Sequence, residues 1–203
     1  EQLLFADWDI TTGHKQLADL ADEMIRTLTA IEKEPDRRNK FKKELVFDAM
    51  RATVVSITTT GITGFDSPIA GHSVPEAVAS LEGVLNLIPF FTSETEKEKQ
   101  RHLSSFSSLI NKTILYLKQQ GSFNDFDRLE FITRFINPLF QQLVKARINT
   151  GVGIPPGRNA INFQTESIFA PDALNIDFYS PPSEYWVTPD RVQLGNLLFS
   201  DPV

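Results

Sequence analysis

Apolar residues recur at steps of three and four along most of the first 150 positions. Leu17, Leu20, Ala21, Met24, Leu28 and Ile31 predict an amphipathic helix over residues 14–33. Pro35 ends it, and Asp36 can cap the next. Residues 37–60 predict a second helix with two stripes, Phe41, Leu45, Ala52 and Val55 on one and Phe47, Met50, Val54 and Ile57 on the other. An apolar surface of that width implies packing on two sides. Its β-branched end, Ser56 to Thr60, is a weak helix former. A loop over Gly61 to His72 follows. Ser73 then opens a third helix as a capping box, its hydroxyl serving the Glu76 amide while Glu76 reaches back to the amide of Ser73. Val74, Ala77, Val78, Leu81, Leu85 and Ile88 share one face, with Pro89 near the end. Ser93 and Glu96 form a second capping box for a helix through Gln120, whose core face is Leu103, Phe106, Ile110, Thr113 and Leu117. Gly121 suits the left-handed position after that helix. A fifth helix runs from about Asn124 to Asn149 with Phe126, Leu129, Ile132, Ile136, Leu139, Phe140 and Leu143 inward. Pro138 should kink it and Gly151 should close it.

Long helices joined by short loops, with no extended stretch of alternating polarity, predict an all-α fold. The expected form is an up-and-down bundle of four to five long helices in antiparallel order over residues 1–150. Residues 151–187 break the pattern. Gly151, Gly153, Pro155, Pro156, Gly157, Pro171, Pro181 and Pro182 disfavour regular structure. Phe163, Ile168, Phe169, Leu174, Ile176, Phe178, Tyr179, Tyr185 and Trp186 are too apolar for a free linker. An extended arm follows from both facts, with its aromatics laid on the bundle or on a further domain. Thr188 as cap and Pro189 at the first helical position then start a short final helix.

Composition sharpens the boundary. Residues 1–150 carry 20 acids and 18 bases, whereas residues 151–203 carry six acids, two arginines and no lysine, together with seven of the twelve prolines. The whole chain of 203 residues is 41% hydrophobic and 23% charged, ordinary for a globular protein. Its net charge of -6 argues against nucleic acid as a partner. No apolar run reaches the roughly 18 residues of a membrane span. The chain begins at Glu1 without a methionine, which implies that the native N-terminus has been removed. The absence of cysteine excludes disulfides, thiolate metal sites and cysteine catalysis.

Candidate chemistry is sparse, and no catalytic residue stands out. The three histidines, His14, His72 and His102, lie in separate segments with no zinc-protease spacing. Within the loop before the third helix, Asp66, His72 and Glu76 could form a metal site, because a helical turn before Ser73 puts His72 and Glu76 four residues apart on one face. The same residues also have a structural reading: Glu76 belongs to the capping box, and Asp66-Ser67-Pro68 is turn chemistry. Ser67, His72 and Asp66 are too crowded for a hydrolase triad and lack a nucleophile elbow. Gly151 to Gly157 is glycine-rich, but no lysine follows and its prolines remove the amides a phosphate loop needs. The basic run Arg37, Arg38, Lys40, Lys42 and Lys43 reads as a solvated helix start.

The end of the chain carries a resemblance. Leu194, Gly195, Leu198, Phe199, Asp201 and Pro202 match the L-G-x-x-L-F-x-D-P stretch that precedes the first C-x-x-C-H haem-attachment motif in bacterial di-haem cytochrome c peroxidases, including the MauG-like branch. Ser200 stands where that family commonly has a second aromatic. The Gly64-Phe-Asp-Ser-Pro68 loop and the Pro75-Glu-Ala77 helix start resemble the N-terminal helical region ahead of the peroxidase part in some of these proteins. In outline the bundle is also similar to imelysin-like helical domains. Their G-x-H-x-x-E motif is not met, since Gly71 and Glu76 each stand one place late around His72.

The resemblance implies a non-catalytic accessory or interaction domain of an exported, periplasmic oxidoreductase, with residues 188–203 beginning a downstream haem-peroxidase domain. It implies no cofactor in this chain, and haem c with calcium in the parent protein. It also implies the downstream haem domain and an electron-donor protein as partners. The imelysin-like alternative is an iron- or haem-binding domain that uses Asp66, His72 and Glu76.

Overall fold

A computed structural model describes residues 10–33, 41–92, 97–157, 159–180 and 183–201. The protein is an all-α helical bundle, with no strand among the described residues. Its helices are α1 (Ile10–Glu32), α2 (Lys43–Ser56), α3 (Ser73–Leu87), the single turn α4 (Pro89–Thr92), α5 (Lys97–Lys118), the single turn α6 (Arg128–Phe131), α7 (Asn137–Asn149), the single turn α8 (Ile176–Tyr179) and α9 (Pro189–Phe199). Two π-helical turns, Ile57–Gly61 and Ile132–Ile136, continue α2 and join α6 to α7. The chain divides into two compact units, Glu1–Leu87 with Ile114–Phe126, and Ile88–Thr113 with Asp127–Val203.

In the first unit α2 and α3 pack together. Phe47, Met50, Val54, Ile57 and Ile62 are buried from the α2 side, with Val74, Ala77, Val78, Leu81 and Val84 from α3. Only one of the two stripes expected on the second helix is covered. Phe41, Leu45 and Ala52 are exposed, so that helix does not pack on two sides. The apolar stripe of α1 is also uncovered, with Leu20, Met24, Leu28 and Ile31 all exposed.

The second unit is built on Leu103, Phe106 and Ile110 of α5, with Phe131, Ile136, Leu139, Phe140 and Leu143. The expected core face of α5 is buried in full, Thr113 and Leu117 included. The fifth helix departs from expectation. It starts at Arg128, where the Asp127 side chain accepts the Glu130 amide at 2.8 Å as an N-cap. Leu129 is 73% exposed, and Phe131 takes its place in the core. Pro138 has no N–H to give the ladder. The chain answers with the π turn just before it, in which the Asn137 amide bonds the Ile132 carbonyl. Phe131 and Ile136, five residues apart, thereby share the buried side.

Gly121 does not take the left-handed conformation expected of it, whereas Gly151 does, with φ of 72°. The Ser93–Glu96 capping box, Pro35, Asp36 and residues 37–40 lie outside the described residues. The segment Ser73–Phe91, 19 residues at a mean hydropathy of 1.3, is long and apolar enough to cross a membrane by length and composition, contrary to the reading of the sequence. Its apolarity has a use within the fold, because Val74, Ala77, Val78, Leu81, Val84, Ile88 and Phe91 are buried.

Candidate functional site

The strongest candidate site in the first unit begins where α2 stops being an α-helix. Thr53, Thr58 and Thr59 each donate a side-chain hydroxyl to the carbonyl four residues back, at 2.8–2.9 Å. Such back-bonding competes with the backbone ladder and loosens a helix. The ladder then slips by one residue, and the Ile62 amide donates to the Ile57 carbonyl at 2.9 Å. π turns of this kind are rare and concentrate at functional sites.

The following loop is held from two sides. The Thr60 hydroxyl donates to Asp66 Oδ2 at 2.6 Å, which ties the carboxylate to the end of the π turn. Gly64 has φ of 78°, and a Cβ there would lie 2.7 Å from Cζ of Phe123. Only glycine lets that aromatic ring lie on the loop backbone. On the far side of the loop, Ser73, Ala77 and Ser80 of α3 recur at i, i+4 and i+7 on one helix face.

Small side chains on both helices leave a cleft of about 430 Å³, lined by Ala52, Thr53, Ser56, Ile57, Gly61, Asp66, Ser73, Glu76, Ala77 and Ser80. Asp66 and Glu76 are exposed at its edge, while Ile57, Ser73 and Ala77 are buried. Among the described residues no lysine, arginine or histidine lines it. Ser73 Oγ is buried with no hydrogen-bond partner. Leaving a buried hydroxyl unsatisfied costs about 1–3 kcal/mol.

That hydroxyl corrects the expected capping box. Ser73 is already inside α3, and the Glu76 amide donates to the His72 carbonyl at 3.0 Å. Ser73 therefore has no helix-start amide to serve.

Of the three residues singled out as metal candidates, Asp66 and Glu76 line this one cleft, and His72 is exposed and not part of its lining. Among the described residues no group of three or more His, Asp or Glu side chains is placed to hold a metal ion. Thr53, Ser56 and Ser80 were not anticipated from the sequence. Their signal was available in the runs Thr53-Ser56-Thr60 and Ser73-Ala77-Ser80, which put small polar residues at helical spacing where bulk would be needed to close the space.

In the second unit the polar centre is Arg147 of α7, which is buried. Its Nη1 donates to the Val152 carbonyl at 3.2 Å and its Nη2 to the Phe163 carbonyl at 3.4 Å. Burial lowers its pKa from the usual arginine value. Ser167 Oγ donates to Asn137 Oδ1 at 3.0 Å, and the amides of Asn162 and Asn175 donate to the carbonyls of Ala173 and Ala160 at 2.8 Å. Val152, Phe163, Thr165 and Ala173 are buried in consequence. These groups organise residues 151–175 and offer no reactive side chain.

Beyond residue 175 no described residue is buried. Phe178, Tyr179, Tyr185 and Trp186 are exposed, as are Val192, Leu194, Leu197, Leu198 and Phe199 of α9. The helix forms as the sequence predicts, with Thr188 Oγ1 accepting the Arg191 amide at 3.3 Å and Pro189 in its first turn. Arg191 then reaches back, donating from Nη1 to the Trp186 carbonyl at 2.7 Å and from Nη2 to the Glu184 carbonyl. Helix and aromatic segment are thus tied to each other while their apolar side chains face outward.

No family model, no curated protein and no solved structure matches this chain.

Proposed function

We propose that this chain is a non-catalytic interaction domain of an exported di-haem cytochrome c peroxidase-like oxidoreductase, with the chemistry carried by a haem domain downstream. The observation that supports this reading best is the uncovered surface formed by the aromatic segment and α9, with Phe199 93% exposed. Exposed apolar side chains concentrated in one stretch of chain offer a place where another surface can pack. The Arg191 staple holds it in one shape, which lowers the ordering cost of docking. The same residues, Leu194, Gly195, Leu198 and Phe199, carry the resemblance to the segment that enters a di-haem peroxidase domain. Each leucine or phenylalanine that such a domain covers contributes about 1.5–3 kcal/mol.

A c-type haem does not fit on this chain itself, because it has no cysteine to form the thioether bonds. Haem c in the parent would belong to downstream residues, and the electron donor would approach that part of the protein.

The reading is tested on the intact gene product. Its downstream coding sequence should contain C-x-x-C-H soon after Val203, and the purified protein should give a c-type pyridine haemochrome spectrum. Phe199→Asp should then loosen the packing of the two parts, seen as faster limited proteolysis around residues 188–203. A downstream sequence without a haem-attachment motif would overturn the assignment.

A further inference from the structure

Two apolar helix faces of the first unit are left open by the chain that carries them. On α1 the face is Leu17, Leu20, Met24, Leu28 and Ile31, and Gly13 is the helix's only buried residue among those described. Just before and along α2 it is Phe41, Leu45, Ala52 and Val55, turned away from the buried side that packs on α3. We infer that these faces cover each other between two copies of this chain: α1 of each copy packs antiparallel on the open face of α2 in the other, giving a two-fold symmetric dimer.

The faces match in length and shape. Leu17 and Ile31 are as far apart in sequence as Phe41 and Val55, so both faces run for about 21 Å. In the antiparallel register Ile31 meets Phe41, Leu28 meets Leu45, Leu20 and Ala21 meet Ala52, and Leu17 meets Val55. Met24 meets Asp48, whose carboxylate is already paired with Arg51 at 3.2 Å. Large side chains oppose small ones at Ala52, where the face borders the cleft walled on α3 by Ala77 and Ser80. Helices pack by seating such ridges in such grooves.

Charge selects the direction. α1 carries Lys15 and no acid before Asp19, and it ends at Glu32. The α2 face starts beside the exposed Lys42 and ends beside Asp66, which Thr60 holds at 2.6 Å. Antiparallel packing brings Glu32 to Lys42 and the Lys15 end of α1 toward Asp66. Parallel packing sets like charges together at both ends. The polar side of α1, with Asp19, Asp22 and Glu23, disfavours an anionic lipid surface as the alternative cover.

The area is sufficient only when the exchange is reciprocal. In each contact Leu20, Met24, Leu28, Ile31, Phe41 and Leu45 stand 48–62% exposed in the single copy. They offer on the order of 500 Å², and two contacts reach the roughly 1,000 Å² that a specific interface needs.

The test is sedimentation of the full chain over a range of concentrations. It should form a dimer with a dissociation constant on the order of 10 μM. Below that concentration the chain is monomeric, and polar substitutions on α1 leave its stability unchanged. Leu28→Asp and Leu45→Asp, both at exposed positions, should each weaken dimerisation by about 100-fold with helix content unchanged by circular dichroism. Mixing these two variants should restore association in part, because the mixed dimer keeps one contact with both faces native. Glu32→Lys and Lys42→Glu should each weaken it about two- to five-fold, and the double variant should recover it. The chain has no cysteine, so Leu17→Cys with Val55→Cys reports the register directly, and oxidation should give a covalent dimer. A chain that stays monomeric up to about 1 mM overturns the inference. A disulfide formed only within one copy also overturns it, since α1 would then close on its own α2. So does association that ignores Leu45→Asp, which would mean that α1 pairs with α1, or capture of the monomer by phosphatidylglycerol vesicles in place of association.

Discussion

Helices α1 and α5 are almost the same length, 23 and 22 residues, and both carry an apolar stripe at helical spacing. Their fates differ. Leu103, Phe106, Ile110 and Leu117 of α5 are all but inaccessible, while Leu20, Met24, Leu28 and Ile31 of α1 stand more than half exposed. The periodicity that makes a helix amphipathic says which face wants a partner. It does not say that the same chain supplies one. Buried apolar area in this protein is therefore concentrated in elements such as α5, and exposed apolar area in elements such as α1 and α9.

The largest effect should come from emptying the covered stripe. Phe106→Ala removes a fully buried ring and should cost about 3–5 kcal/mol, measured by chemical denaturation. A loss below about 1 kcal/mol would mean that α5 is no better anchored than α1, and the contrast would fail.

A smaller loss is expected from a covered residue that is not apolar. Arg147→Ala strands the carbonyls of Val152 and Phe163 and should cost about 1–3 kcal/mol. The change should also raise protease sensitivity in residues 151–165, because those two bonds tie that segment to α7. If Arg147→Met proved as stable as the parent, packing of the stem rather than the guanidinium bonds would be holding the segment.

The exposed end of α5 makes the third comparison. Lys118 Nζ meets Glu82 Oε1 at 2.8 Å with both side chains about half exposed. Lys118→Ala should cost only about 0.2–1 kcal/mol, and less in high salt. One helix would then show both a steep and a shallow response, decided by cover and not by the element.

How far the sequence reveals this follows from the same distinction. The all-α class is legible, and so is the α5 face, because an unbroken 3.6-residue period places Leu103, Phe106, Ile110, Thr113 and Leu117 together. The reading slips where the helix itself changes period. Leu129 is a natural core position for a regular helix through Pro138, yet Phe131 takes the core in its place, because a π turn shifts the residues before it relative to Ile136, Leu139, Phe140 and Leu143, which are buried as expected. A similar slip at Ile57–Gly61 builds the cleft, and its cause, a threonine run that bonds its own backbone, is written in the sequence but looks there like mere weak helix propensity. Asp66 and Glu76 are legible as chemistry-bearing residues. Their companions Thr53, Ser56 and Ser80 are not, because the proximity of α2 to α3 is a tertiary fact. The Ser73 box fails for a local reason: the helix begins one residue too early for the hydroxyl to cap it.

The smallest effect is the one that defines α1. Met24 is 62% exposed, and glutamine matches methionine in length and helix propensity. Met24→Gln should therefore change stability by no more than about 0.5 kcal/mol in this chain, the range for surface positions. Hydrogen exchange gives the same contrast without mutation, since the amides around Met24 should exchange far faster than those around Phe106. If the substitution instead cost as much as a buried methionine, about 2–5 kcal/mol, then α1 would be covered in solution, and the difference between the two helices would be one of partner rather than of pattern.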